Sequence, residues 1–370
     1  MADPTDHISL VPAALEATPP GGDEALRIPL QAFQRQAREI LERGAAFQRP
    51  VLFGGQREDW LSVCNESLTA GSPSAFFLKA FRPYRVQDES DQKGLFTGYF
   101  EPEAEGSRVP TGEFCVPIYR KPADLVALPE QAGEGAGLRY GRMIDGKAAP
   151  YLTREEIEKG ALAGRGLEIC YLRSWVDAFF IHIQGSGRVR LPDGKIIRLS
   201  YAAKSGLPYT GIGAVLVGRG ELTRETASMQ SLKAWMAAHA YEARALMWHN
   251  KSFVFFREID VADASLGAVG AAGANLTPLH SMAVDRSLWM FGMPAWIETA
   301  YPPECRRPDP TLNRMMIAQD TGSAIKGAVR GDFYWGWGDE AALIAGHMKS
   351  PGRMTVLLPH AVALRLGLPR

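Results

Sequence analysis

The spacing of apolar residues predicts a long amphipathic helix near the start of the chain. From Ile28 to Gly44 the sequence reads IPLQAFQRQAREILERG, and apolar side chains recur every three or four residues. Gly44 is expected to end this helix, and the Pro- and Gly-punctuated residues 1–26 before it are expected to be a loose lead-in. The predicted buried stripe consists of Leu30, Phe33, Ala37, Ile40 and Leu41.

Further along, short apolar runs between turn residues predict β-strands. KGLFTGYFEP (93–102) and FCVPIYR (114–120) are two such runs, with TGE between them as turn material. WVDAFFIHIQG (175–185) is predicted as a strand, as is SFVFF (252–256). GRVRLPDGKIIRLSYA (187–202) is predicted as a hairpin that turns at Pro192-Asp193-Gly194.

Helical segments interrupt these strands. The Thr153 hydroxyl and the Glu156 carboxylate have the spacing of a capping box, which predicts a short helix ending at about Ala163. Residues 223–250 are helical in pattern, with Met229, Leu232 and Met236 on one face. From Leu276 onward the pattern predicts strands, except for a helix at about Glu340 to Met348.

The fold class that follows is mainly β. Short strands, frequent Gly and Pro, and few long helices indicate a β-barrel core with small helices attached. A length of 370 residues exceeds one ordinary small core, so two domains are expected.

Composition and motifs exclude several function classes. Lys+Arg and Asp+Glu both number 41, so no electrostatic reason exists to expect nucleic acid as a partner. GIGAVLVGRG (211–220) lacks the third glycine and the acidic partner of a dinucleotide site, and no Walker loop occurs, so no nucleotide is expected. No HExxH or CxxC motif occurs, so we expect no metal and no cofactor. The cysteines are expected to be buried free thiols, although spacing leaves a disulfide open: Cys64, Cys115, Cys170 and Cys305.

The N-terminal sequence carries acids and prolines where an export signal has a basic start and an apolar run. No Cys near the start offers a lipid anchor, and no stretch approaches the roughly 18 apolar residues of a membrane span. These residues predict a soluble chain without a visible export signal, and they are equally compatible with a leader that has been removed.

The densest group of acids, glycines and aromatic rings lies between Ala318 and Ala341. Asp320 and Asp332 flank a Gly-rich segment, and the aromatic residues Tyr334, Trp335 and Trp337 follow directly. Aromatic faces stack on sugar rings, and a carboxyl beside apolar rings has a raised pKa, as a general acid requires. The alternative is a loop whose acids cap turns and whose Trp residues fill the core. The pattern alone does not choose between Asp320 and Asp332.

Two other positions are weaker candidates. Asp285 in AVDRS fits a strand-end acid, and also a turn cap. The QGSG sequence, Gln184 to Gly187, offers amide and hydroxyl donors to a polar ligand, and is equally good as a turn. Ser186 has no Asp-and-His pair that would make it a nucleophile.

Ten segments in order resemble the MltA family of lytic murein transglycosylases. They cover about Gly94 to Leu358, and the most specific match is the run from Ala318 to Met348, which contains the last three segments. The segments are TGYFEP (97–102), PIYRKP (117–122), LTREEIEKGAL (152–162), IHIQGSGRVRLPDG (181–194), SYAAKSG (200–206), SFVFF (252–256), AVDRS (283–287), AQDTGSAIKG (318–327), GDFYWGWG (331–338) and AGHM (345–348).

The resemblance implies a double-psi β-barrel with a second, smaller β-barrel domain inserted, and a deep groove between them that holds the glycan. The barrel would be formed by residues 1–103 and 259–370, and the insert by residues 104–258. The C-terminal part looks like the so-called 3D domain, named for three aspartates.

The resemblance also assigns roles to residues. Asp332 matches the catalytic acid, and Asp320 and Asp285 match the two supporting aspartates. Lys326 is expected to hold the Asp320 carboxylate, with a solvated lysine as the alternative. The residues expected to contact the glycan are Thr97, Tyr99, Phe100, Gln184, Gly185, Ser186, Gly187, Tyr201, Lys204, Gly322, Lys326 and Tyr334.

One carboxyl suffices for the implied reaction. A glycosidase needs a second carboxylate to activate water or to act as a nucleophile. In a lytic transglycosylase the 6-hydroxyl of N-acetylmuramic acid attacks its own C1, so a single residue acts first as acid and then as base. The alternatives are a β-1,4-glycan hydrolase that uses Asp320 or Asp285 as base, and a non-catalytic cell-wall glycan-binding protein.

The expected partners are peptidoglycan glycan strands and cell-wall machinery proteins, and the expected state is a monomer. By resemblance, the expected location is the periplasm, with outer-membrane association.

Overall fold

The computed structural model describes residues 7–14, 22–42, 45–90, 93–128, 140–224, 226–259, 263, 265–322 and 324–369. The chain forms two compact units. Met1–Phe100 and Asp263–Arg370 form the first, and Glu101–Ala262 form the second, which therefore interrupts the first in sequence.

The strands within these ranges are β1 (Ile8–Pro12), β2 (Phe81–Asp88), β3 (Leu95–Glu101), β4 (Glu103–Ser107), β5 (Val116–Tyr119), β6 (Val126–Ala127), β7 (Tyr140–Ile144), β8 (Lys147–Ala149), β9 (Glu168–Leu172), β10 (Ser186–Arg190), β11 (Ile196–Lys204), β12 (Val254–Ile259), β13 (Ser281–Val284), β14 (Pro294–Ala300), β15 (Thr311–Asp320), β16 (Arg330–Trp337), β17 (Lys349–Ser350) and β18 (Arg353–Pro359).

The α-helices are α1 (Gly22–Glu42), α2 (Arg57–Ser67), α3 (Pro73–Ala80), α4 (Arg154–Glu156), α5 (Trp175–Gln184), α6 (Ile212–Gly218), α7 (Met229–Ala238), α8 (Ala240–Trp248), α9 (Gly338–His347) and α10 (His360–Arg365). A π-helical turn, Ile157–Ala161, continues α4, and two 3-10 turns lie at Ala45–Phe47 and Pro303–Cys305. The prediction of a mainly β protein with peripheral helices is confirmed.

The first unit contains a nine-stranded sheet in the order β1-β2-β18-β14-β15-β13-β16-β3-β17. β13 pairs in parallel with β15 and antiparallel with β16, so it lies between the two strands that carry Asp320 and Asp332. This arrangement brings together two acids that lie on separate strands.

Helix α1 packs on this unit through the predicted apolar stripe. Leu30, Phe33, Ala37 and Ile40 are buried, while Leu41 is only half-buried. Phe33 contacts a cluster of rings from α3 and β2: Phe76, Phe77 and Phe81. Gly44, the predicted helix stop, lies outside the described residues.

The expectation of a loose lead-in over residues 1–26 is wrong in two places. Ile8–Pro12 forms β1 and pairs antiparallel with β2, and α1 begins at Gly22. An edge strand is held by backbone hydrogen bonds to its neighbour, and these leave little trace in a segment rich in polar residues and proline.

The second unit contains a six-stranded sheet in the order β12-β11-β10-β4-β9-β5 and a small sheet β6-β7-β8. The hairpin prediction is confirmed: β10 and β11 pair antiparallel, the Leu191 amide donates to the Lys195 carbonyl at 2.8 Å, and Gly194 has a φ of +82°. The Thr153–Glu156 capping box is also present. The runs around β3 and β5 are strands as predicted, but they belong to different sheets.

The predicted strand at residues 175–185 is wrong, because Trp175–Gln184 forms helix α5. The Ser174 hydroxyl caps it by accepting from the Asp177 amide. Ala178 and Ile181 pack in the core of the six-stranded sheet, while Phe179 and Phe180 pack among α6, α7 and α8. Because the helix is buried on both sides, its sequence is mostly apolar, and the periodicity of such a run does not distinguish a helix from a strand.

All four cysteines are free thiols: Cys64 and Cys170 are buried, Cys305 is partly buried and Cys115 is exposed. Among the described residues, no helix is both long and apolar enough to cross a membrane.

Candidate active site

The side chains of Asp320 and Asp332 lie at the same position along two strands of the nine-stranded sheet. Ala283 on the central strand β13 is in register with Asp320 on one side and with Asp332 on the other. Neighbouring strands are about 4.8 Å apart, so the two aspartate Cα atoms are about 10 Å apart. Ala283 is buried and contributes only a methyl group between them.

A register shift between the parallel strands β13 and β15 places Asp320 opposite Ala283. Met282 pairs with Ala318, but Ala283 pairs with Asp320, so the pairing passes over Gln319. The Gln319 side chain is buried, where it accepts from the Ser281 hydroxyl at 2.6 Å and donates to the Ala32 carbonyl at 3.3 Å. A bulge redirects the next side chain, and here it brings the second carboxyl beside the first.

Asp332 is bound by a short chain of side chains. The Thr97 hydroxyl donates to Asp332 Oδ1 at 2.5 Å, and Arg330 Nη2 donates to the Thr97 hydroxyl oxygen at 2.8 Å. In the described part of the chain, no other group donates a hydrogen bond to Asp332. Burial raises the pKa of Asp332, as does the charge of Asp320, against the opposing effects of Thr97 and Arg330.

Arg330 is fixed by its backbone contacts. Its guanidinium also donates to the carbonyl of Gly331 at 2.5 Å and to that of Leu95 at 3.4 Å. Arg330 lies two residues before Asp332 on β16, so both side chains lie on the same face of the strand. Arg330 is not among the residues predicted from the sequence, although its spacing of two residues from Asp332 is a signal that could have identified it.

Asp320 has more donors than Asp332. Its Oδ1 accepts from the amides of Ala271 at 3.0 Å and Thr321 at 2.9 Å, and its Oδ2 accepts from the Tyr99 hydroxyl at 2.9 Å. Burial raises the pKa of Asp320, and these three hydrogen bonds oppose that increase. The contribution of Ala271 comes from its backbone, so no side-chain pattern could have predicted it.

Two tyrosines extend the site. The Tyr99 and Tyr334 rings have centroids 5.3 Å apart, and burial together with the Asp320 carboxylate raises the pKa of Tyr99 well above its ordinary value. Tyr334 itself is buried. A Cβ on Gly267 would lie 2.3 Å from the Tyr334 hydroxyl, so the loop can approach this ring only with glycine there.

Asp285 lies in a separate hydrogen-bond network. Its carboxylate accepts from the Ser287 hydroxyl at 2.7 Å, from the Gly327 amide at 3.1 Å and from Lys326 Nζ at 3.3 Å. Burial raises its pKa, but the hydrogen bonds outweigh burial and the net pKa is lowered. The prediction that Lys326 holds Asp320 is wrong, because Lys326 pairs with Asp285 and is otherwise exposed.

The remaining expected contact residues divide between the units. Thr97 and Tyr99 lie on β3 beside the acids, while Phe100 is buried and the Gly322 carbonyl accepts from the Ile325 amide at 3.0 Å. In the second unit, Gly185 caps the C-terminus of α5 with a φ of +73°, so QGSG lies at the end of a helix rather than after the predicted strand. Gln184 ends α5; Ser186 and Gly187 lie on β10, and the exposed side chains of Tyr201 and Lys204 lie on the adjacent β11.

Within the described ranges, no group of three His, Cys, Asp or Glu side chains is arranged to hold a metal ion.

Two family models match the chain: the MltA specific insert domain over residues 95–257, and the 3D domain over residues 280–358. The membrane-bound lytic murein transglycosylase A of Vibrio cholerae is 35% identical over 340 residues, which are 87% of this chain and 80% of that protein.

Solved structures are similar over nearly the whole chain. A membrane-bound lytic murein transglycosylase from Agrobacterium tumefaciens has a TM-score of 0.83 at 33% identity, covering 97% of this chain and 99% of that one. Escherichia coli MltA with bound chitohexaose has a TM-score of 0.69 at 28% identity, covering 96% and 95%.

Proposed function

The chain belongs to the MltA family of lytic murein transglycosylases, and from this premise we propose that Asp332 alone supplies the acid and the base of its reaction. It is an enzyme that acts on peptidoglycan. The substrate bond is the β-1,4 link between N-acetylmuramic acid and N-acetylglucosamine.

The observation that carries the assignment is the difference between the two carboxyls. Asp332 is partly buried, has a raised pKa and accepts a single hydrogen bond from Thr97. Its other oxygen is therefore available to hold a proton and to donate it. Asp320 already accepts three hydrogen bonds, which leaves it less free to donate a proton to a substrate.

In the first step, protonated Asp332 donates its proton to the glycosidic oxygen, and the C1–O4 bond breaks. In the second step, the 6-hydroxyl of the muramic acid attacks C1, and the Asp332 carboxylate takes the proton of that hydroxyl. The products are a 1,6-anhydromuramoyl end and a free 4-hydroxyl, and Asp332 is protonated again. No water is consumed, so no second carboxylate is needed.

Asp320 and Tyr99 support the reaction at Asp332 and do not transfer a proton to the substrate. The negative charge of Asp320, two strands from Asp332, favours the protonated form of Asp332. The same charge stabilises the positive charge that develops at C1 of the sugar. Thr97, held by Arg330, keeps the Asp332 carboxyl in one orientation. Asp285 is a supporting residue that ties the turn after β13 to the segment at Lys326 and Gly327.

We further propose that the glycan is contacted by Gln184, Ser186, Tyr201 and Lys204 of the second unit. The chitohexaose bound by the Escherichia coli relative supports a glycan ligand. The parallel pair β13–β15, which lies beside the antiparallel pair β14–β15, supports a double-psi barrel for the first unit. The relatives' description as membrane-bound supports a place in the cell envelope, in the periplasm or at the outer membrane.

The alternative is hydrolysis, with Asp332 as acid and Asp320 as the base that activates water. A separation of about 10 Å between the Cα atoms leaves room for a water molecule. The three donors on Asp320 oppose this role, because each hydrogen bond to a carboxylate makes it a weaker base.

Digestion of purified sacculi separates the two reactions. We expect products that end in 1,6-anhydromuramic acid, each lighter by one water than the corresponding hydrolysed product. Reducing-end products from the wild-type protein would establish hydrolysis instead, and glycan binding without any release of product would establish a binding protein.

A further inference from the structure

Five neighbouring strands of the first sheet each contribute one residue to a row that crosses the sheet and contains both acids. Strand β17 contributes the fifth residue. Across the sheet the strands run β15, β13, β16, β3 and β17. Asp320, Ala283 and Asp332 are in register with one another. The Thr97 hydroxyl bonds to Asp332, and Lys349 is in register with Thr97.

The Lys349 side chain lies on the same face as the Asp332 carboxyl. Residues opposite each other in an antiparallel pair point to one side of the sheet, and Thr97 points at Asp332. The next pair, Ser350 and Phe96, is buried on the other side. Lys349 is exposed, and within the described ranges its ammonium group has neither a hydrogen bond nor an ion pair.

Lys349 and Asp332 are two strands apart, which corresponds to about 10 Å between their Cα atoms. Arg330, a second cation at this end of the sheet, already donates to Thr97 and to two carbonyls. Lys349 is thus a cation beside the acid whose charge is still available to a ligand.

We propose that Lys349 binds a carboxylate carried by the muramic acid residue at the cleaved bond. This inference rests on the proposed function, because muramic acid differs from N-acetylglucosamine by a lactyl ether that bears a carboxyl group. In strands without peptides that carboxylate is free. In peptide-bearing strands it forms the amide bond to the stem peptide, and the stem supplies carboxylates farther along. Lys349 therefore makes the site selective for anionic glycan over a neutral chitin oligomer.

A lysine on an edge strand also discourages pairing with the edge of another sheet. That role alone predicts no dependence on the charge of the substrate. The two roles are therefore separable by experiment.

The test compares wild type with Lys349→Gln, Lys349→Arg and the control Lys79→Gln. Lys79 is exposed on α3, where it pairs with Glu66, so its substitution removes the same charge elsewhere. The substrates are glycan strands with stem peptides and the same strands after an amidase has removed the peptides. Binding of neutral chitohexaose is measured in an Asp332→Asn background.

We expect Lys349→Gln to lower kcat/KM on charged strands about three- to fivefold, through KM, with a smaller effect at high salt. Lys349→Arg and Lys79→Gln should behave as wild type, and the affinity for chitohexaose should be unchanged. An effect confined to peptide-free strands identifies the lactyl carboxylate, and one confined to peptide-bearing strands identifies the stem.

An equal loss of affinity for chitohexaose, or no change on any charged strand, would overturn the role of Lys349. A shifted pH profile would also overturn it, since it would mean that Lys349 acts through Asp332. If the wild type itself releases no anhydro product, the proposed function fails, whatever the Lys349 variants do.

Discussion

Asp320 and Asp332 face each other across a single strand, with the methyl group of Ala283 between them. The two carboxyls differ in their partners: Asp320 accepts three hydrogen bonds, and Asp332 accepts one, from Thr97. The difference separates their roles, since Asp320 is held as a fixed charge and Asp332 keeps an oxygen available for the substrate.

Replacing Asp332 with Asn should abolish the release of anhydromuropeptides. The amide still accepts from Thr97 but carries no transferable proton, and loss of a general acid lowers rates by about 10² to 10⁴. Digestion of sacculi followed by mass analysis measures the loss. Affinity for chitohexaose should remain, and turnover within tenfold of wild type would contradict the assignment of Asp332.

Asp320→Asn should leave measurable activity and shift its pH dependence. The charge of Asp320 raises the pKa of Asp332, so its removal lowers that pKa and reduces the protonated fraction at neutral pH. The alkaline limb of kcat/KM should therefore move to lower pH. A limb that stays in place would show that Asp320 does not act on Asp332 through its charge.

Thr97→Val should shift the same limb in the opposite direction. The Thr97 hydrogen bond favours the charged form of Asp332 and lowers its pKa, so losing it raises the pKa and moves the alkaline limb to higher pH. The rate should fall about tenfold, because the carboxyl loses its fixed orientation. Thr97→Ser keeps the hydroxyl and is the matched control; an equal loss in both variants would exclude this hydrogen bond as the cause.

The sequence correctly predicted those features that depend on interactions between residues close in sequence. The stripe through Phe33, the capping box at Thr153 and the turn at Gly194 each follow from residues close in sequence. The predictions that were wrong concern β1 and α5, whose structures depend on contacts with residues distant in sequence. β1 needs β2 beside it, and α5 is buried on both sides, which removes the polar face that would mark a helix.

At the site, the sequence identified the neighbourhood of the acids but not its geometry. A density of Gly, Asp and aromatic residues selected Asp320 and Asp332, and only the family resemblance chose Asp332 as the catalytic residue. The sequence could not show the bulge at Gln319, the amide of Ala271 or the pairing of Lys326 with Asp285, because each depends on a contact between segments that are far apart in sequence.

Asp332→Asn should also stabilise the protein at neutral pH. Below the ordinary Asp pKa of 3.8 the carboxyl is protonated in the folded and unfolded states, and it does not make the stability depend on pH. Above that pH the unfolded state loses its proton first, because the folded pKa is raised, so the wild type loses stability as pH rises. The Asn side chain is neutral throughout and avoids this loss.

The expected gain is a Tm higher by about 2 °C or more at pH 7, falling toward zero near pH 4. Thermal unfolding of the two proteins at both pH values measures it. A gain that is equal at pH 4 and pH 7 would show that the Asp332 carboxyl is not the source.

Gly98→Ala should damage both stability and activity, because the position has no room for a side chain. A Cβ at Gly98 would lie 2.6 Å from Trp335 Nε1 and 2.9 Å from the Cα of Ala345, so β3 or the indole must move. Overpacking of this kind costs about 1–3 kcal/mol. Thr97 and Tyr99 flank Gly98, so a displaced β3 also moves the two donors to Asp332 and Asp320.

The matched control is Gly71→Ala in the same unit, where no atom lies within 4 Å of the added Cβ. We expect a lower Tm and a lower kcat, measured well below that Tm, for Gly98→Ala alone. Equal behaviour of the two variants would mean that the strand accommodates the side chain without disturbing the acids.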